Sequence, residues 1–203
     1  MTIERRAASL PVAFFNDRAD HVARALLGTI LVSTIGGVRT AGRIVETEAY
    51  LGTADAASHG FRGSPTPRTA ALFGPPGMWY VYRSYGMHWC CNLVCEREGI
   101  ANAVLLRALE PVDGLDVMRE RRGAVADRAL CAGPGRLCAA LGITRELDGT
   151  MMHASEVRVY RNEPLPDELV AATPRIGITR AVDEPLRFVV RGSRWVSRKP
   201  VLG

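Results

Sequence analysis

Apolar side chains in this chain recur at two different periods. Near the start, Val22, Ala25 and Leu26 fall at helical spacing, with Asn16 or Asp17 placed to cap a helix and Gly28 placed to end it. Residues 29–34 then read as a strand, Gly36-Gly37 as a hairpin turn, and 38–50 as a long returning strand. Residues 51–77 are rich in Gly and Pro, and a loop of that length points to function rather than mere connection. Two further strands, 78–84 and 88–95, meet at Tyr85-Gly86, where Gly86 permits a tight turn and leaves Tyr85 at an exposed tip. Residues 103–109 read as a buried strand, 115–122 and 136–141 as helices, and the last third as short strands alternating with turns. Strands outnumber helices and lie mostly as hairpins, which predicts an α+β domain built on an antiparallel sheet. No repeat, low-complexity tract or linker divides the chain, so a single domain over 1–203 is expected.

Composition narrows the classes. The chain is 47% apolar and 23% charged, as in a globular protein, and no apolar run approaches the about 18 residues of a membrane span. Arg5 and Arg6 are not followed by a long apolar segment, so a secretory signal is not expected and a cytoplasmic location is. The net charge of +5 suits an anionic partner such as nucleic acid. Five of the cations (Arg187, Arg191, Arg194, Arg198 and Lys199) fall within 184–203 together with Trp195, which reads equally as a solvated basic tail or as part of a binding surface. Of the 26 basic residues, Lys199 is the only lysine. The five cysteines are odd in number and lack the C-x2-C spacing of a zinc site. Buried thiols filling core are expected, with no metal.

Three features carry candidate chemistry. On the strand over 38–50, alternation places Ile44, Glu46, Glu48 and Tyr50 on one face and Arg43, Val45, Thr47 and Ala49 on the other. Two carboxylates and an aromatic therefore meet at the mouth of the long loop, unless this is simply the wet face of an edge strand. Trp79, Tyr80, Tyr82, Tyr85 and Trp89 crowd one hairpin. Trp79 and Trp89 suit the core, whereas a Tyr at a solvent-exposed turn suits a wedge of the kind that unstacks base pairs. Arg107 stands inside an apolar run, Val104-Leu105-Leu106-Arg107-Ala108-Leu109, where an unpaired charge costs several kcal/mol. It requires a partner, either a structural one or a site carboxylate such as Glu48.

Gly42-Arg43-Ile44-Val45-Glu46-Thr47-Glu48-Ala49-Tyr50-Leu51-Gly52 resembles the central motif of the alkyladenine (3-methyladenine) DNA glycosylase family. So do Thr66-Pro67-Arg68, Tyr80-Val81-Tyr82-Arg83-Ser84-Tyr85-Gly86-Met87, the stretch 104–111, Cys131-Ala132-Gly133-Pro134 and Pro185-Leu186-Arg187-Phe188. The resemblance runs in order from about 14 to 197. It implies a curved antiparallel sheet with a protruding DNA-intercalating β-hairpin and surrounding helices. The implied activity is monofunctional: double-stranded DNA presents a damaged purine, which is flipped out and cut from its sugar by water, with no cofactor and no partner subunit.

By the same resemblance, Glu48 is the general base, Arg107 helps hold the attacking water, and the Ile176 carbonyl is that water's third partner. Tyr50 and Tyr82 sandwich the flipped base, His59 closes the pocket and reads the purine edge with its backbone N–H, and Asn92 disfavours guanine. Tyr85 fills the gap in the duplex. Thr66, Arg68, Met87 and Arg136 join it as DNA contacts, with backbone N–H groups over 133–135 offered to the strand. His88 and Trp89 depart from the family's usual aromatics beside the turn. The scarcity of lysine favours direct hydrolysis over an amine-linked Schiff base. Three rivals remain for the structure to weigh: a lesion-binding module of the same fold, a largely helical helix-hairpin-helix glycosylase suggested by Gly133-Pro134-Gly135 with Asp148 as its acid, and a structural or RNA-binding domain.

Overall fold

The computed structural model describes residues 8–200. Arg5, Arg6, the N-terminal amine and residues 201–203 of the basic segment lie outside the described residues. Among the described residues, eight strands form one antiparallel sheet: β1 (Ile30–Ser33), β2 (Thr40–Leu51), β3 (Trp79–Ser84), β4 (His88–Cys95), β5 (Asn102–Asp113), β6 (Val157–Tyr160), β7 (Val170–Thr173) and β8 (Arg187–Val190). Its main path runs β3-β4-β5-β2-β1-β6, and β8, carrying β7 on its far side, also pairs with β2. Three helices complete this mixed α+β fold: α1 (Ala19–Ala25), α2 (Leu115–Arg122) and α3 (Pro134–Leu141).

β2 is therefore a central strand, and the edge-strand reading of its carboxylates does not hold. It pairs with β5 along one side, and on the other with β1 at residues 40–43 and then with β8 at residues 46–48. The change of partner comes at Val45. There the register passes from Ile44 opposite Leu109 to Glu46 opposite Ala108, leaving Val45 as an extra residue; Arg107 is the matching extra residue on β5 before Thr47 meets Leu106. Such bulges bend a strand and re-aim its side chains. Here the bulge turns Ile44 onto the core face, with Ala49 in the main apolar cluster and with Thr47, whose hydroxyl donates to the Ala23 carbonyl of α1 at 2.8 Å. Glu46, Glu48 and Tyr50 keep the opposite face, so the expected grouping is corrected by the removal of Ile44.

The remaining differences are local. β5 continues past Leu109 through Glu110 and Pro111 to Asp113, because Pro111 sits opposite Gly42 at a register irregularity where a missing N–H is tolerated. Neither Asn16 nor Asp17 caps α1. Arg18 occupies that position, and the Asp17 carboxylate accepts instead from the Arg18 N–H at 2.7 Å and bonds His21 at 3.1 Å. α3 begins two residues earlier than expected, with Pro134 in its first turn, where a missing donor costs nothing. All five cysteines are buried thiols.

α3 lies against the start of β4. A Cβ added at Gly135 would meet Cβ of His88 at 2.7 Å and Cγ at 3.0 Å, so the absence of a side chain is what lets the helix approach the turn end of the β3–β4 hairpin. Gly135→Ala is expected to destabilise the protein by about 1–3 kcal/mol through overpacking. The shift would be read as a lower urea midpoint at unchanged slope.

Candidate active site

β2 and β5 bring three charges into the interior. Glu46 and Glu48 are both fully buried, and Arg107, 7% exposed, reaches both of them. Its Nε donates to Glu46 Oε1 at 3.1 Å and its Nη1 to Glu48 Oε2 at 3.2 Å. Glu46 also accepts from Arg187 Nε at 2.7 Å, from the Ser197 hydroxyl at 2.8 Å and from the Ser197 N–H. The expected basic tail is thus divided: Arg187 and Val196 are buried, while Arg191, Arg194, Arg198 and Lys199 remain exposed. Burial works against the charged form of Arg107, but Glu48 and Glu46 outweigh it and raise the guanidinium above its ordinary range.

Glu48 is enclosed differently. Its Oε2 also accepts from the Tyr50 hydroxyl at 2.9 Å, and its Oε1 accepts from the Ile176 N–H at 2.7 Å. The structure thus puts the N–H of Ile176, where the carbonyl was expected, on Glu48. Burial, followed by the charge of Glu48 and the hydrogen bond to it, pushes the Tyr50 phenol well above its usual value, so Tyr50 remains a donor at neutral pH.

In front of these groups lies a cavity of about 660 Å³, within the range of small-ligand sites. Tyr50, His59, Tyr82, Asn92, Arg107 and Ile176 all line it, while Glu48 sits behind this wall. Tyr82 stacks on Tyr80 with ring centroids 5.4 Å apart, and His59 meets the Tyr82 ring edge-on at 4.6 Å. His59 Nδ1 and the Tyr80 hydroxyl lie 2.9 Å apart. Partial withdrawal from water, then the charge of Arg68, lowers the His59 pKa, which keeps the imidazole neutral at pH 7. The Asn92 amide donates to the Tyr80 carbonyl at 3.0 Å, which fixes its orientation in the cavity wall. Cys90 completes the aromatic side, its thiol pushed up to about 11, chiefly by burial.

The hairpin beside the cavity ends in a turn with Tyr85 and Gly86 both at positive φ, closed by the Met87 N–H on the Ser84 carbonyl at 3.0 Å. Tyr85 is 86% exposed and Met87 68%. Trp79 is buried in the core; Trp89 is half-buried with Arg83 over its ring. Arg68 reaches the cavity, its guanidinium 5.7 Å from the Tyr82 ring centroid. Thr66 shares a hydrogen bond with Thr69 in the turn leading to Arg68. Arg136 is exposed on α3 and donates to the Ala132 carbonyl at 3.2 Å. Thr66, Met87 and Arg136 do not line the cavity. The backbone donors expected over 133–135 are fewer than supposed: Gly133 N–H is taken by the Cys131 carbonyl and Pro134 has none, which leaves that of Gly135.

Several site groups went unassigned in the sequence. Arg187, a charge in the run from Leu186 to Val190, carried the same signal as Arg107. Tyr80 lay within a recognised motif without a role. Ser197, Asp55 and Arg175 carried no local signal at all. Asp148, the acid that a helix-hairpin-helix reading would need, accepts the Val81 N–H at 2.8 Å and does not line the cavity.

Comparison with known proteins agrees with this geometry. The family model described as "Methylpurine-DNA glycosylase (MPG)" matches residues 13–194. A protein of Rhodopseudomonas palustris (strain ATCC BAA-98 / CGA009) is 50% identical over 91% of this chain and 86% of its own length. A Methanoculleus marisnigri protein is 50% identical over 94% of this chain and 100% of its own length, and one from Chlorobaculum parvum 47% identical over 93% and 90%. Each is named "Putative 3-methyladenine DNA glycosylase". The helix-hairpin-helix alternative is thereby set aside, for the match covers nearly the whole chain and the fold is a sheet with three short helices. The chain belongs to the methylpurine-DNA glycosylase family, hydrolases of the N-glycosidic bond.

Proposed function

We propose that the protein flips alkylated or deaminated purines out of duplex DNA into the cavity between Tyr50 and Tyr82 and releases them with a water activated by Glu48. The observation that carries this reading is the state of Glu48: a buried carboxylate held by three donors directly behind the cavity wall. A carboxylate accepts at roughly four positions, so Glu48 retains capacity for one more donor, the water. Glu48 takes that water's proton as its oxygen bonds to C1′ of the sugar, and the N-glycosidic bond breaks with its electron pair leaving on the purine. An abasic site remains.

The energetics support this assignment. Extruding a base costs a few kcal/mol, and less when the base is damaged, while stacking on aromatic faces returns about 1–3 kcal/mol. An electron-poor alkylated purine between Tyr50 and Tyr82 gains cation–π attraction as well. Asn92 on the wall is suited to exclude guanine's exocyclic amine. Among the described residues no lysine lines the cavity, which favours hydrolysis by water over an imine-linked route with backbone cleavage. At the cavity rim, the exposed Tyr85 is the group that would fill the space left in the duplex, with Arg68 beside it and Met87, Thr66 and Arg136 on the flanking DNA. No helix among the described residues is long and apolar enough to cross a membrane. The protein would act as a monomer in the cytoplasm, on the nucleoid.

Single-turnover base release from duplexes carrying ethenoadenine, hypoxanthine or 3-methyladenine tests the proposal, with alkali added only after the reaction. Wild type should give strand breaks only after alkali. Glu48→Gln should retain lesion binding but release base at least about 100-fold more slowly, the scale of a lost general base. Equal turnover by Glu48→Gln would remove it from the mechanism, and lesion binding without release by wild type would leave a recognition module.

Affinity for lesion DNA should fall steeply with added KCl, as phosphate contacts release counterions. Arg136→Ala should reduce the log–log slope by about 1 if it meets one phosphate, as read by fluorescence anisotropy. Tyr85→Ala should lower the flipped fraction of ethenoadenine by at least about tenfold, or ~1.4 kcal/mol, as read by the fluorescence of that base; an unchanged flipped fraction would deny Tyr85 the wedge role.

A further inference from the structure

Arg175 and Asp55 form an ion pair that the chemistry above does not use. Their side chains are 0% and 2% exposed, and they meet as a two-pronged fork: Nη1 donates to Oδ2, and Nη2 to Oδ1 at 2.8 Å. Nη1 also donates to the Ala49 carbonyl at 3.0 Å, and the guanidinium carbon lies 4.7 Å from the centroid of the Tyr50 ring. Asp55 accepts in addition from the N–H groups of Leu51 and Ala57, at 3.3 and 3.0 Å.

One guanidinium thus joins three chain segments. The first is the end of β2 at Ala49 and Tyr50. The second is the loop through Asp55 that continues into the cavity wall at residues 56–59. The third is the strap that leads from Arg175 into residues 176–180, which also line the cavity. The Nε of Arg175 is buried without an acceptor, and such a donor costs about 1–3 kcal/mol. The two uncharged donors on Glu48 both adjoin this residue: Ile176 is its neighbour in the chain, and the Tyr50 hydroxyl is carried on the ring it faces.

The geometry points to Arg175 as a positioning residue for base release, one that holds the Ile176 N–H and the Tyr50 hydroxyl on Glu48 through its fork to Asp55 and its contact with the Tyr50 ring. This rests on the reading of Glu48 as the base. Arg175 does not line the cavity, so its effect falls on the rate of the chemical step and not on lesion binding. A displacement of about 1 Å at the reacting groups is worth about 100-fold in rate. Lysine would keep the charge but not the planar fork.

The test is single-turnover release of ethenoadenine at saturating enzyme, where the rate constant does not depend on the fraction of molecules folded, with lesion-DNA affinity measured alongside. Arg175→Gln is expected to slow release about 100-fold, Arg175→Lys nearly as much, and Asp55→Asn at least about tenfold, all with Kd within about threefold of wild type. The double variant Arg175→Gln/Asp55→Asn should be no slower than Arg175→Gln alone, since coupled residues are not additive. If Arg175→Gln does not fold, Asp55→Asn carries the test. Release within about threefold of wild type in these variants, full rate in Arg175→Lys, or slowing matched by weaker binding would overturn the inference. A turnover-competent Glu48→Gln would instead overturn the base assignment beneath it, so the two failures are distinguishable.

Discussion

The contact on which the site depends is the guanidinium of Arg107 lying between two buried carboxylates. Removing one member of a buried ion pair typically costs about 3–5 kcal/mol, because the other charge is left without compensation. Glu46, Glu48, Arg107 and Arg187 therefore stand or fall together, and their charges sum to zero. Each of the elements around them exists in part to complete this set. β8 brings Arg187, the segment after it returns Ser197 to Glu46, and the strap after β7 brings the Ile176 N–H to Glu48. The paired irregularities at Val45 and Arg107 belong to the same constraint: they let the strands remain in register on either side while the charged residues are re-aimed toward one another.

Much of this was legible in the amino-acid sequence, and the boundary between what was and was not is physical. Strand alternation put Glu46, Glu48 and Tyr50 on one face, and Arg107 betrayed itself as a charge in an apolar run. The turn at Tyr85-Gly86 was equally plain, because a residue at the tip of a tight turn has few ways to be buried. Ile44 was misplaced because a bulge leaves no local mark: Val45 is an ordinary β-branched residue, and only the change of partner from β1 to β8 makes it the extra one. The extent of β5 was hidden behind Glu110 and Pro111, which read as a strand end until Gly42 is known to lie opposite. Arg175 and Asp55 lie 120 residues apart, and nothing in either neighbourhood announces that they meet. Long-range polar pairing is the part of a site that single-sequence reading reaches least, since its energy resides in geometry rather than in local pattern.

The cavity shows how little of the aromatic wall is left to adjust. Tyr82 has Tyr80 stacked on it, His59 against its edge and Arg68 near its ring, and Tyr50 has Arg175 near its ring and its hydroxyl on Glu48. Rings fixed in this way have little further freedom to lose on binding a ligand, and the ordering cost of binding falls accordingly. The exposed tip at Tyr85 is the opposite case. It has turn geometry but no packing, which suits a group whose partners are supplied by the substrate.

Two glutamates two residues apart on one strand face are held by different sets of hydrogen bonds. Glu46 accepts four: from Arg107, from Arg187, and from the hydroxyl and the N–H of Ser197. Three of these four reach Oε1, and two of the four donors are guanidiniums. Glu48 accepts three, from Arg107, Tyr50 and Ile176, and two of those donors are uncharged. Glu48, whose donors Tyr50, Arg107 and Ile176 all line the cavity, is the carboxylate with fewer donors and a single guanidinium, the arrangement that suits the base proposed above. The bond to Glu46 keeps Arg107 from turning wholly toward Glu48. On the proposed reading, the first carboxylate of the pair serves by holding the guanidinium that the second one shares.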